Sequence, residues 1–171
     1  DPVSNDWDQR AVADFAGDLH FNALAGGADG KVLLVGESGL ILRSEDGGRN
    51  WTTITTPYKG SYFGVLRYAE SGWLVFGLRG NVFRSSDNGE RWNQVNPASA
   101  QASLMGGTVL PDGGVLLVGR EGMLLESRDR GRSFTARKTA KGEALAAALS
   151  LPSGVRVLVG EGGAMRLEAG G

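Results

Sequence analysis

Apolar residues along this chain fall in short runs ended by glycine or a polar cluster, and no capped run keeps the helical period for the ~10 residues a helix needs. Between Phe21 and Thr55 the pattern predicts four strands, Phe21–Ala25, Lys31–Val35, Leu40–Ser44 and Trp51–Thr55, separated by turn residues. The second and third strands are joined by Val35-Gly36-Glu37-Ser38-Gly39, an apolar-G-x-x-G signature. It returns at Phe76–Gly80, Val118–Gly122 and Val159–Gly163, so the glycines at 36, 77, 119 and 160 are spaced by 41, 42 and 41 residues.

A second signature keeps the same step. SEDGGRNW (Ser44–Trp51), SSDNGERW (Ser85–Trp92) and SRDRGRSF (Ser127–Phe134) share S-x-D-x-G-x-x-W/F. A strand-only unit of this length matches one four-stranded propeller blade, about 40–45 residues. The expected fold is therefore all-β: a single β-propeller domain, 1–171, of four four-stranded antiparallel blades. The units run approximately over 13–55, 56–96, 97–138 and 139–171, with first strands starting near Tyr62, Leu104 and Leu145 in the last three. The alanine-rich run Glu143–Leu149 has the composition of a helix, but the repeat register makes it the first strand of the fourth unit.

The fourth unit stops after its third strand, Ala164–Glu168, without a box or closing aromatic. Residues 6–12, Asp6 to Val12, resemble the strand that follows each box and are expected to complete the last blade, which would cover open sheet edges. The alternative is half of a larger or dimeric propeller. Aligned first strands give a column of small residues, Ala23, Gly64, Gly106 and Ala147, expected to let the blades approach closely at the axis.

Repetition marks the boxes as scaffold. Ser44, Asp46, Gly48 and Trp51, Ser85, Asp87, Gly89 and Trp92, and Ser127, Asp129, Gly131 and Phe134 are expected to build turns: the aspartate accepts backbone N–H groups, glycine takes a positive φ, and the aromatic covers the hairpin. One carboxylate per loop is too few for a calcium cage, so no metal is expected.

Composition narrows the function. Twenty-eight glycines against five prolines suit many tight turns, and no stretch approaches the roughly 18 apolar residues of a membrane helix. A net charge of −1 gives no reason to expect nucleic acid. With one histidine and no cysteine there is no Cys/His pair, no H-E-x-x-H helix and no G-x-S-x-G elbow, and His20 reads as a turn residue. The glycine pairs lead into no helix that could hold a phosphate, and no cofactor is expected.

The motifs resemble the Asp-box, or BNR, repeats of bacterial sialidases, sortilin-type receptors and the photosystem II stability and assembly factor-like family. They are most similar to the last, through V-G-E-x-G-x-I-L-R-S-x-D-G-G-x-x-W at Val35–Trp51, P-Y-x-G-S-Y-F-G at Pro57–Gly64 and F-G-L-R-G-N-V-F-R-S at Phe76–Ser85. The resemblance spans essentially the whole chain and implies a non-enzymatic, periplasmic or otherwise extracytoplasmic propeller. Such a protein binds a membrane-complex subunit or transporter component and assists assembly or stability of the complex. The family's propeller is longer, with seven blades, and this chain looks like its C-terminal four-repeat portion or a short form. A sialidase-like hydrolase is the enzymatic alternative. Against it, the arginine-isoleucine-proline motif is absent and the three tyrosines, 58, 62 and 68, crowd into one unit.

Binding at an axial face is the remaining reading, since propeller turns point the same way. Arginine recurs there: Arg43 and Arg84 precede two boxes, and Arg79 and Arg120 fall in second-to-third-strand turns. Its planar fork suits a partner's carboxylates, and Tyr58, Tyr62, Phe63 and Trp73 form the densest aromatic group. Tyr58, Tyr62, Arg79, Arg84 and Arg43 are the expected partner contacts.

Overall fold

The computed structural model describes residues 17–95, 97 and 99–168. Each sequence repeat forms one antiparallel sheet whose strands lie in chain order. The first blade holds β1 (Phe21–Gly26), β2 (Val32–Gly36), β3 (Ile41–Ser44) and β4 (Thr52–Thr53); the second holds β5 (Tyr62–Ala69), β6 (Gly72–Gly77), β7 (Val82–Ser85) and β8 (Asn93–Gln94). The third holds β9 (Leu104–Val109), β10 (Val115–Gly119), β11 (Met123–Ser127) and β12 (Thr135–Lys138). Among the described residues the fourth has three strands, β13 (Leu145–Ser150), β14 (Arg156–Gly160) and β15 (Gly163–Leu167). The molecule is a propeller of four blades, and the alanine-rich run is strand, as the register requires. The segment expected to complete the last blade, Asp6–Val12, lies outside the described residues.

The second-to-third-strand turns are tighter than the glycine signature alone suggests. Ser38, Arg79 and Glu121 sit at φ 55°, 57° and 56°, each followed by a glycine that is also left-handed. Two consecutive left-handed residues make the hairpin turn whose twist matches that of the strands, and a non-glycine residue bears half of it. Each turn is tied to the residue before its own first strand: Glu37, Leu78, Arg120 and Glu161 donate their N–H groups to the carbonyls of His20, Ser61, Ser103 and Ala144.

The core lies between blades. Leu33, Val35 and Ile41 of the first pack against Tyr62, Trp73, Val75 and Phe83 of the second. Leu74, Phe76 and Val82 of the second meet Leu104, Leu117, Met123 and Leu125 of the third, and Leu116 and Val118 of the third meet Leu145 and Leu158 of the fourth. β6 and β10 are buried along their whole length, since both faces of a middle strand touch a neighbouring blade. The innermost strands pack in series, β1 on β5, β5 on β9 and β9 on β13, whereas no comparable packing joins β13 to β1 among the described residues.

The column of small residues has two physical causes rather than one. A Cβ on Gly106 would fall on the backbone of Ala146 and Ala147, so there smallness admits the next blade. On Gly64 it would run into the ring of Phe76 in its own sheet, so there glycine makes room for a core side chain.

Candidate functional site

The hairpins present two faces. First-to-second-strand turns lie with the boxes, as Gly47 N–H donates to Gly30 O and Asn88 N–H to Ser71 O. On the opposite face the second-to-third-strand turns lie beside the connections between blades. There Thr139 N–H donates to Gly122 O, and a Cβ on Gly80 would strike Ala100 O.

On the box face each serine is a buried hub. Ser44 Oγ donates to Asp46 Oδ1 at 2.8 Å and accepts the N–H of Gly48 at 2.9 Å. Asp46 Oδ1 accepts Asn50 N–H at 2.8 Å, its Oδ2 accepts Asn50 Nδ2 at 2.6 Å, and Trp51 Nε1 donates to Gly48 O at 3.0 Å. Ser85 with Asp87, Gly89, Arg91 and Trp92 repeats this scheme. Ser127 with Asp129, Gly131 and Ser133 repeats it too, with Phe134 packed on the core in place of a tryptophan. These donors hold the carboxyls below the usual range: Asp46 at about 2, chiefly through the Asn50 N–H, and Asp129 well below, chiefly through the Ser133 hydroxyl. Asp87 is lowered too, where the Arg91 N–H and the Ser85 hydroxyl together outweigh desolvation.

Two expected partner contacts turn inward at the same face. Arg43 Nη1 donates to Asn88 O of the next blade at 2.9 Å and pairs with Glu45 and Glu90. Arg84 Nε donates to Arg130 O of the following blade at 3.0 Å, with its guanidinium 4.7 Å from the centre of the Tyr68 ring. Both therefore act as clamps between blades. Tyr62 turns inward as well: it is fully buried, donates to Thr56 Oγ1 at 3.2 Å and is pushed up to about 12 by burial. An apolar ring flanked by Phe83 and Tyr58 belongs to the core, whatever its polar tip suggests in sequence.

The clamp column changes sign in the third blade. Glu126 stands where Arg43 and Arg84 stand, and it accepts Arg156 Nη2 at 3.1 Å from the fourth blade and Arg137 Nη2 at 2.7 Å from its own. The signal is in the sequence: Arg156 replaces the apolar Val32, Trp73 and Val115 of its column. Another unit-specific pair carries no repeat signal: Arg67 grips both oxygens of Asp29 at 2.6 and 2.7 Å across the first two blades, which holds that carboxyl far below its ordinary range.

On the turn face Arg79 and Arg120 are exposed, and among the described residues neither guanidinium has a hydrogen-bond or ion-pair partner. The Arg79 backbone is fixed through its N–H to Ser103 Oγ at 3.2 Å. Half-buried Tyr58 lies near it, donates to Leu78 O at 3.1 Å and is raised by burial. Arg120 lines a cleft of about 450 Å³ between the third and fourth blades, with Met105, Glu121, Ala146 and Glu161 around it. Glu121 is engaged with Lys138 at 2.6 Å and Glu161 accepts the Ala144 N–H, while the Arg120 guanidinium is held by neither carboxylate. The arrangement can take a carboxylate or main-chain carbonyls, with apolar contact from Met105 and Ala146. The alternative chemistry needs a tyrosine free to act as nucleophile. Tyr58 and Tyr62 are engaged as described, and Tyr68 donates to Ser85 O at 2.7 Å.

Neither a family model nor a curated protein sequence matches this chain. Solved structures do. YCF48 bound to D1 peptide is 19% identical with a TM-score of 0.67, over 88% of this chain and 50% of that one. YCF48 from Cyanidioschyzon merolae is 17% identical with a TM-score of 0.68, over 90% and 54%. A catalytically inactive virginiamycin B lyase from Staphylococcus aureus with quinupristin is 13% identical with a TM-score of 0.72, over 88% and 56%. The chain spans about half the length of the YCF48 structures it matches. At these identities the likeness establishes the propeller fold, on which both a peptide-bound protein and an enzyme are built.

Proposed function

We propose that this chain is a non-catalytic Asp-box propeller of the photosystem II stability and assembly factor-like type. It acts outside the cytoplasm as a scaffold that binds a membrane-complex subunit or transporter component and assists assembly or stability of the complex. The observation that carries this reading is the pair of exposed arginines on the turn face, Arg79 and Arg120, without partners among the described residues, while Arg43 and Arg84 are spent between blades. Guanidinium forks that are not engaged within the chain favour an extended peptide bearing carboxylates, because binding it breaks no existing ion pair. The D1 peptide on YCF48 supports the choice of a peptide ligand by analogy.

The test is titration of an acidic peptide with a free C-terminal carboxylate, followed by fluorescence anisotropy. Binding that weakens on Arg79→Ala or Arg120→Ala, together with no turnover of a fluorogenic sialoside, is the expected result. Sialoside cleavage, or binding indifferent to both substitutions, would overturn the reading. Fractionation of cells producing the natural gene tests the compartment.

A further inference from the structure

The large exposed hydrophobic residues of the described chain are Phe21, Leu24, Leu149, Leu151 and Val159. None belongs to a middle blade. The strand registers give each of them counterparts, and those counterparts lie in the interfaces between blades. Phe21 pairs with Gly36 as Tyr62, Leu104 and Leu145 pair with Gly77, Gly119 and Gly160, and these three counterparts are 0%, 0% and 5% exposed against 42% for Phe21. Val159 pairs with Ala147 as Val35, Phe76 and Val118 pair with Ala23, Gly64 and Gly106, and it is 41% exposed where they are at most 1%. Leu24 corresponds to Val65, which packs against the preceding blade, and Leu151 to Leu110, which packs against the following one.

Blade one therefore exposes the half-interface that blades two to four bury against a preceding neighbour. Blade four exposes the half that blades one to three bury against a following neighbour. We infer that these two faces are the halves of one interface, and that a second copy of this chain covers them head to tail, two four-blade arcs closing one ring through two identical contacts. The internal contacts give the docking surface its shape, because the same union of halves occurs three times within the chain. They also give the pairing. At the junction of the second and third blades, a Cβ on Gly107, the counterpart of Leu24, would lie 3.2 Å from Leu66 Cδ1, the counterpart of Leu149. Leu24 of one copy is thus set against Leu149 of the other. A head-to-tail contact that closes leaves no apolar end exposed, whereas one that failed to close would propagate into a filament.

Light scattering on the purified 171-residue chain tests this. The expected mass is twice the 17.9 kDa of one chain. Leu24→Lys and Leu149→Glu should each give a folded monomer by circular dichroism, and the two together in one chain should restore the dimer, since lysine then faces glutamate at both contacts. A wild-type monomer at every concentration overturns the inference. So does a dimer that survives both single substitutions, or one that the double substitution fails to restore. None of these outcomes touches peptide binding by Arg79 and Arg120, which is read separately by anisotropy.

Discussion

At the scale of single residues, arginine shows how one residue type takes opposite jobs. Arg84 joins two blades through the Arg130 carbonyl and the Tyr68 ring, so Arg84→Ala should lower stability by about 1–2 kcal/mol in urea titrations and leave peptide affinity unchanged. Arg79→Ala removes an exposed side chain without a partner among the described residues; it should change stability by no more than about 0.5 kcal/mol and weaken the peptide. The box aspartates act through charge. Their folded pKa values lie below the unfolded value of about 3.9, so the stability they contribute is present above that pH and is lost as pH falls through the folded values. Urea midpoints should therefore drop between about pH 4 and pH 2, and Asp46→Asn, Asp87→Asn and Asp129→Asn together should flatten that drop. The box aspartates could be read as structural from repetition alone, because a catalytic group has no reason to recur in three successive blades. The fate of Tyr62 could not, because an aromatic ring with a hydroxyl suits a core and an interface equally.

At the scale of elements, the hairpin turn is the decisive device. Gly80 sits at φ 72° with its missing Cβ aimed at the Ala100 carbonyl, so alanine there meets both a left-handed penalty and a backbone clash. Gly80→Ala should cost about 1–3 kcal/mol, whereas Gly47→Ala, also left-handed but in open space, should cost less; thermal denaturation of the two variants makes the comparison. The G-x-x-G spacing located every one of these turns in the sequence. That Arg79 itself is left-handed, and so fixed in direction, follows from hairpin twist rather than from any preference of arginine.

At the scale of the whole molecule, stability is a sum of blades and the contacts between them. β6 and β10 are buried throughout, while β13 and β15 are largely exposed. Amide hydrogen exchange should be slowest in β6 and β10 and fastest in β15 when the chain is dilute enough to be monomeric, and protection of β1 and β13 should rise with concentration if a second copy covers the ends.

The sequence by itself determined the strand-only unit, its length, its turns and its boxes, because each is set by local chemistry: period-two side chains, glycine where φ is positive, and an aspartate beside the N–H groups it accepts. Four copies of that unit announced four blades. Only the tertiary structure decided which arginines are spent inside and which remain free, and which apolar residues are core and which are left at the ends. Those outcomes depend on what the neighbouring blade places opposite each side chain: a carbonyl for Arg84, solvent for Arg79, and, among the described residues, no packed blade for Leu24 and Leu149.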